Sequence, residues 1–463
     1  MNKPLSASVT TQLANKNIVI LGIGITGLSC ARFLHGYDIE FAVNDSRAMP
    51  ISPGDFKHQF ADNSLVLGQW DSALIAQADI LIVSPGINLD EPAIRSAISE
   101  HCDVVGDIEL FCRLSGTPII AVTGSNGKST VVSMLNYVGN ALGYRVQLGG
   151  NIGLPVLDQI DQAADFIVLE LSSFQLETVK SMKALAATVL NVSDDHLDRH
   201  KTLENYSEIK QRIYNNSQYA LYNRNDKATV PAARYSKSQA ISFGSNPAQS
   251  GDFGLVNIKG EQHLALGEQA LCKLASLPLQ GIHNALNYLA VLALGNCAGW
   301  DVDAMLNSLM TFNGLAHRCE VIASQDGICW INDSKATNVG ATLAAIEGLA
   351  PTLQGNKLIL IAGGVGKGAD FSPLTQALTQ QVDYLITLGE DGRDIAALRL
   401  ASQSDKTSHV DSLSAAVALA RQYATTGDMV LLSPACASLD MFANYVERGV
   451  VFIKSVLLPK EPS

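Results

Sequence analysis

A chain of 463 residues is too long for a single hydrophobic core, so two to four domains are expected. Hydrophobic residues at 47% against 16% charged exclude a disordered chain, and a net charge of −12 argues against a general nucleic-acid binder, which presents a basic face. Eight cysteines without CxxC spacing point to neither a zinc site nor a disulfide scaffold. No run reaches the roughly 18 apolar residues of a membrane span, and the polar opening Met1 to Asn17 holds no apolar leader, so a reduced, cytoplasmic protein is expected.

From Asn17 onward, short apolar runs alternate with helical stretches. Ile18–Ile23 reads as a strand, Thr26–Leu34 as a helix, Ile39–Val43 as a strand, and Ile80–Ser84 as a strand running into Ser84-Pro85-Gly86. This β-α-β rhythm predicts a doubly wound parallel sheet. A helix near Asp107–Leu114 leads into a strand at Pro118–Val122, a glycine loop and a helix at Ser129–Leu142; strands at Phe166–Leu169 and Thr188–Asn191 continue a second α/β unit. Residues 236–275, broken by Gly and Pro, read as a small β appendage to that unit, and 282–312 as two helices. A third α/β unit opens near Arg318, with strands at Leu358–Ile361, Tyr384–Thr387 and Met429–Leu432. The expected architecture is α/β in three domains: a Rossmann-like N-terminal domain (1–106), a central P-loop ATPase-like domain (107–314) and a C-terminal Rossmann-like domain (315–463).

The segment Thr123-Gly124-Ser125-Asn126-Gly127-Lys128-Ser129-Thr130 follows an apolar strand and opens a helix, the context of a phosphate loop. Its glycines let backbone N–H groups turn toward phosphate, the helix N-terminus adds partial positive charge, Lys128 adds a full one, and Ser129 or Thr130 can ligate Mg²⁺. ATP binding is therefore expected across Gly124 to Thr130. Two residues separate Gly124 from Gly127, where the standard pattern has four; an ordinary glycine turn is the competing reading. The strand ending at Glu170 supplies an acid placed as in a Walker B strand, beside Mg²⁺. A second loop, Gly22-Ile-Gly24-Ile-Thr-Gly27, with Asp45 at the end of the next strand, has the dinucleotide fingerprint; taken alone it suggests NAD, but the geometry holds any diphosphate. Ser84-Pro-Gly-Ile87 offers further backbone donors, and packing alone would also explain these turns.

These loops, with Glu170-Leu-Ser-Ser-Phe-Gln175, Asp195-His196-Leu-Asp198-Arg199, His283-Asn284, His317-Arg318, Asn332-Asp333-Ser-Lys-Ala-Thr337-Asn338 and Ser433-Pro-Ala-Cys-Ala-Ser438, resemble the Mur ligases over nearly the whole chain. The shortened glycine spacing is that family's own form of the loop. The last two strings are most similar to the branch that adds D-glutamate to UDP-N-acetylmuramoyl-L-alanine in peptidoglycan synthesis, and the Asp-Asn-Pro-Arg string of the diaminopimelate- or lysine-adding branch is absent. The resemblance implies that ATP phosphorylates the substrate carboxylate and that the amine of D-Glu attacks the acyl phosphate.

It also implies roles. Lys128 would stabilise the transferring phosphoryl group, Ser129 and Glu170 would hold one Mg²⁺, and His196 would belong to a second. Lys210, which sequence alone reads as a solvent-facing helix lysine, matches a carbamylated lysine of the family. Asn284, Arg318 and Asp333 match positions around ATP. Thr337, Lys367 and Ser438 match positions for D-Glu, and a lysine with two hydroxyls suits a dicarboxylate. Lys367 lies in Gly363-Gly-Val-Gly-Lys-Gly368, which also reads as a phosphate loop. Ile25, Thr26, Gly27 and Gly86 would meet the diphosphate of the UDP substrate, Asp45 and Arg47 its uracil end, and Asn151 and Ser172 its sugar-peptide end. Val365 stands where an acid is common in the family, and Tyr445 where Phe is familiar. A monomer acting on small molecules is expected. The competing readings are a related ligase with another amino acid, a folylpolyglutamate synthetase, a catalytically silent UDP-sugar-binding regulator and an NAD-dependent oxidoreductase. The first glycine loop disfavours the folate enzyme, the intact Lys128, Glu170, His196 and Lys210 disfavour the regulator, and the second phosphate loop is left unexplained by the oxidoreductase.

Overall fold

Runs of β-branched residues and leucine buried on both faces mark the centres of three separate sheets, as parallel sheets covered by helices require. The computed structural model describes residues 9, 11–235, 237–353 and 355–458. Residues 1–8 and 459–463 lie outside the described residues, and with them about half of the segment on which the expectation of no leader rests.

The first sheet comprises β1 (Ile18–Leu21), β2 (Ala42–Asp45), β3 (Ser64–Leu67), β4 (Ile80–Val83) and β5 (Asp103–Val105), all parallel in the order β3-β2-β1-β4-β5. Helix α1 (Ile25–Gly36) follows β1. The expected strand Ile39–Val43 begins three residues later and runs on to Asp45, because Asp45 is needed inside the fold: it accepts from the backbone N–H of Ile23 at 2.9 Å. Helix α2 (Asp107–Leu114) connects to the second sheet.

That sheet holds β6 (Ile119–Thr123), β7 (Val146–Gly150), β8 (Phe166–Glu170), β9 (Ala184–Val189), β10 (Tyr219–Asn223), β11 (Gln239–Phe243), β12 (Phe253–Ile258), β13 (Glu261–Leu266) and β14 (Gln269–Lys273). Its order is β14-β13-β12-β11-β10-β9-β6-β8-β7. The expected β appendage is thus a continuation of the central sheet: β11 pairs parallel with β10, and β12 to β14 extend it as an antiparallel meander. Helices α3 (Lys128–Ala141), α5 (Ile282–Cys297) and α6 (Val302–Leu309) share one apolar cluster on this sheet; α4 (Leu203–Gln211) carries Lys210.

The third sheet has β15 (Glu320–Ile322), β16 (Cys329–Asn332), β17 (Leu358–Gly363), β18 (Tyr384–Leu388), β19 (Thr407–His409) and β20 (Met429–Leu432), in the order β15-β16-β20-β17-β18-β19. Only β15 runs antiparallel among these pairings. Helix α7 (Val339–Leu349), α8 (Leu413–Tyr423) and α9 (Tyr445–Leu457) flank it.

The junctions differ in kind. One apolar cluster runs from Phe33 and Leu34 of α1 through Phe111 and Leu114 of α2 to Val156, Leu157 and Ile167, so the first two sheets share a core. The polar contacts of the third sheet's unit with the second include Arg318 to Ser129 and Asn338 to Asn126. Among the described residues no helix is long and apolar enough to cross a membrane.

At Gly27 an added Cβ would stand 1.9 Å from the carbonyl oxygen of Gly22. Gly27→Ala is expected to cost about 1–3 kcal/mol by overpacking, read as a lowered Tm in a thermal melt; an unchanged Tm would contradict this account of the turn.

Candidate active site

The order β9-β6-β8 brings three strand ends to one edge of the central sheet: the loop after β6, the carboxylate ending β8 and the segment after β9. Gly127 caps α3 with φ +83°, and a Cβ there would lie 2.6 Å from Oδ1 of Asn287 on α5, so only glycine fits. The short loop is pinned from one side. The N–H of Ser125 donates to the carbonyl of Asn191 (2.9 Å), the N–H of Asn126 donates to Asn191 Oδ1 (2.8 Å), and Ser125 Oγ donates to the carbonyl of Ser193 (3.0 Å). Two loop donors are therefore committed within the protein. The first-turn N–H groups of α3, which have no intrahelical partner, carry the anion-binding capacity.

Lys128 Nζ donates to the carbonyls of Gly124 (2.7 Å) and Ser125 (2.8 Å). Glu170 is 1% exposed; its Oε1 accepts from Asn151 Nδ2 at 2.7 Å, while Oε2 is buried with no partner among the described residues. Lys210, expected on a solvent-facing helix surface from sequence alone, is 1% exposed instead. Its Nζ donates to the carbonyl of Gly124 at 2.9 Å and stands 4.5 Å from the centroid of the Tyr206 ring, one helical turn back on α4. Burial, and then the neighbouring Lys128, push the Lys210 amine well below the usual lysine range, against the attraction of Asp195 and Glu170. Burial likewise lowers Lys128. His196 has a left-handed backbone (φ +55°), its Nε2 lies 3.7 Å from Asp195 Oδ2, and its ring meets Phe174 edge-on at 4.8 Å.

These groups line a polar cavity of about 220 Å³, together with Asn151, Ser172 and Thr337. An adjoining cavity of about 350 Å³ lies between α5 and α7 and is lined by Gly127, Asn284, Arg318 and Asp333 with apolar Leu279, Leu315 and Ala345. Arg318 borders both and donates to Ser129 Oγ at 2.7 Å. Asp333 accepts from Ser433 Oγ (2.8 Å) and the N–H of Cys319 (3.2 Å), and burial raises its carboxyl to about 6.

The remaining expected site residues lie apart. Gly22–Gly27 after β1 and Ser84–Ile87 after β4 flank the point where the first sheet's strand order reverses, the usual crevice of such sheets. Ile25 is 78% exposed there, Thr26 is half-buried, Gly27 is buried and Gly86 is exposed. Asp45 is buried; both its oxygens accept from within the chain, from Ile23 N–H and from Arg47. Burial works to raise its carboxyl, but the hydrogen bonds from Arg47 and Ile23 prevail and lower it. Asp45 thus shapes the glycine loop, while the Arg47 side chain is 60% exposed. Lys367 is exposed and Ser438 buried, on loops that pair through Val365 and Ala437 in the third unit; neither lines the two cavities. Sequence reasoning gave no role to Lys335, which borders both cavities with its Nζ 3.9 Å from the centroid of the Tyr445 ring. Burial, helped by Arg318 and Lys128, lowers its amine to about 8. It also missed Tyr206, whose i to i+4 spacing from Lys210 was the available signal.

A phosphate loop on a parallel sheet, with an acid on the neighbouring strand and an arginine reaching in from a second α/β unit, defines a P-loop enzyme of phosphoryl or nucleotide chemistry. Family models named Mur ligase MurD-like N-terminal domain, Mur ligase middle domain and Mur ligase glutamate ligase domain match residues 16–106, 122–295 and 317–436. The chain belongs to the Mur ligase family. Curated relatives named UDP-N-acetylmuramoylalanine--D-glutamate ligase include one from Colwellia psychrerythraea, 54% identical over 96% of this chain and 98% of its own. Another, from Marinobacter nauticus, is 46% identical over 95% and 98%. Among solved structures, MurF from Acinetobacter baumannii has a TM-score of 0.62 at 17% identity, covering 98% of both chains. MurC from Thermotoga maritima has 0.60 at 19% identity, covering 95% of this chain and 99% of its own. At those identities the likeness is one of fold.

Because the folded pKa of Asp333 lies above the unfolded one, its stabilising share is present below about pH 4 and lost as pH rises through about 6, at most about 3 kcal/mol. Asp333→Asn is therefore expected to gain Tm over the parent as pH goes from 4 to 7.5, while losing activity. A Tm difference independent of pH would contradict the buried, raised carboxyl.

Proposed function

We propose that this protein is the ATP-dependent ligase that joins D-glutamate to the carboxylate of UDP-N-acetylmuramoyl-L-alanine, as a monomer in the cytoplasm. The observation that carries the reading is the cavity in which Lys128, Lys210 and the unpartnered oxygen of Glu170 meet under a second α/β unit. Relatives bearing that enzyme name match this chain nearly end to end.

A bare carboxylate is a poor electrophile. In the proposed reaction a carboxylate oxygen attacks the γ-phosphorus, the bond to ADP breaks, and the acyl phosphate forms. The D-Glu amine then attacks the acyl carbon, loses a proton, and phosphate leaves with that oxygen. Lys128 and Arg318 bring positive charge to the phosphates, and Lys335 is a further cation at the boundary of the two cavities. Thr337, Lys367 and Ser438 are assigned to D-Glu, which requires their unit to deliver the amine to the central cavity. Ile25, Thr26, Gly27, Gly86 and Arg47 are assigned to the UDP moiety, with Asp45 holding the loop, and Asn151 and Ser172 to the reacting end. Asn284 and Asp333 are assigned to the nucleoside of ATP.

The orphaned Glu170 oxygen fits a divalent cation. Ser129 and Glu170 would hold one Mg²⁺, and His196 with a modified Lys210 a second. When bound, Mg²⁺ neutralises charge on the transferring phosphoryl group. The lowered Lys210 amine supports carbamylation: in its deprotonated form the nitrogen forms an N–C bond with CO₂ and releases a proton, leaving an oxygen-bearing anion in place of the amine.

Given ATP, Mg²⁺ and UDP-MurNAc-L-Ala, the protein is expected to release phosphate with D-Glu and not with L-Ala, L-Lys or diaminopimelate; the reverse pattern would overturn the assignment. Lys128→Ala is expected to lower kcat by about 10²–10³-fold. Lys210→Ala should be inactive and recover with short-chain carboxylic acids; full activity without them would contradict the carbamate.

A further inference from the structure

Arg199 ties the two substrate regions together by direct contact. It lies on the short helix Leu197–His200, three residues beyond His196. Its Nη2 donates to Glu177 Oε2 at 2.5 Å and to the carbonyl of Ile87 at 3.0 Å. Ile87 belongs to the turn after β4, on the first sheet, whereas Arg199 and Glu177 belong to the central one. The guanidinium carbon also stands 5.4 Å from the centroid of the Phe174 ring. That ring meets His196 edge-on and stacks on His200 at 5.4 Å, and His200, 1% exposed, is fastened to Ser173 Oγ at 2.9 Å. A continuous path of contacts thus leads from the Ser84–Ile87 turn through Arg199 and Phe174 to His196.

The bland alternative is that Arg199 merely cements the two domains. The junction has other fastenings: Arg32 pairs with Asp158 at 2.6 Å, Lys180 with Asp103 at 3.1 Å, and an apolar cluster is shared between the sheets. Exposed ion pairs contribute little on their own, but Arg199 and Glu177 are only 13% and 20% exposed. Arg199 is therefore not needed to keep the domains joined, yet it alone among these cations touches both the Ser84–Ile87 turn and the aromatic ring that abuts His196.

We infer that Arg199 is a positioning residue that couples the Ser84–Ile87 turn to the His196 imidazole, so that seating of the UDP-sugar substrate and placement of His196 are one event. The inference rests on the proposed function, with the turn facing the substrate diphosphate and His196 facing the reacting carboxylate. A coupling free energy between two sites acts on both equally, so each ligand would shift the other's binding by the same factor.

The test uses the full-length protein, Arg199→Met and Arg199→Lys. Affinity for UDP-MurNAc-L-Ala is measured by calorimetry with and without saturating Mg²⁺ and a non-hydrolysable ATP analogue, beside kcat, each KM and Tm. The parent is expected to bind the UDP substrate about fivefold or more tightly with the analogue present. In Arg199→Met this ratio should fall to near one and kcat by about ten- to a hundredfold, with the KM for ATP and Tm near the parent values. Arg199→Lys, which retains a cation for Glu177, should recover part of kcat. A parent ratio near one, or a Met variant that keeps the parent ratio and kcat, overturns the inference. So does a Met variant whose KM values and Tm all shift together with no recovery in Arg199→Lys. A parent inactive with every amino acid offered overturns the functional reading and this inference with it; an active parent with an uncoupled ratio overturns the inference alone.

Discussion

Two lysines and a half-satisfied carboxylate share one polar cavity at the edge of the central sheet, and much of the molecule serves to make that tolerable. Removing charge from water is costly unless it is paired. Lys128 and Lys210 both bond the carbonyl of Gly124, so the backbone of the phosphate loop absorbs part of their charge. Asp195 and Glu170 supply the opposing sign. What remains is a buried Glu170 oxygen with no partner among the described residues and a Lys210 amine that burial pushes well below the usual lysine range, the two perturbed groups on which the proposed cation and lysine modification rest. Strand order makes this geometry possible. Because β6 lies between β8 and β9, the phosphate loop, Glu170 and the segment leading to His196 emerge side by side.

The unequal junctions divide the work. The first two units share an apolar core, so the glycine loop after β1 and the turn after β4, proposed to face the UDP substrate, are fixed relative to the phosphate loop. The third unit brings Arg318, Lys335 and Asn338 across polar contacts. Polar contacts break and re-form in water at small net cost, which is compatible with the proposed delivery of an amino acid by that unit.

Local features were legible in the sequence because their signals are local. The phosphate loop, the acid ending β8 and the alternation of strands with helices each need only a few neighbouring residues to be read. Features set by distant residues were not. Nothing near Ser125 and Asn126 announces that their N–H groups are taken by Asn191. Lys210 reads as a surface lysine until β6 is placed under α4, and the burial of Asp45 follows from its bond to Ile23 on another strand end. Short edge strands such as β3, β5 and β15 carry too little apolar pattern to stand out, and the continuation of the central sheet through β11 to β14 depends on which edge was left unpaired. The Mur ligase resemblance supplied expectations that periodicity did not, namely a modification of Lys210 and a division of residues among three substrates.

The central claim is that the γ-phosphate is transferred to the substrate carboxylate before the amine attacks. It is tested most directly with UDP-MurNAc-L-Ala carrying ¹⁸O in both carboxylate oxygens, turned over with ATP, Mg²⁺ and D-Glu. An acyl phosphate requires one labelled oxygen to leave in each phosphate released and one to remain in the amide. Phosphate released without label, while the amide forms, would contradict the account.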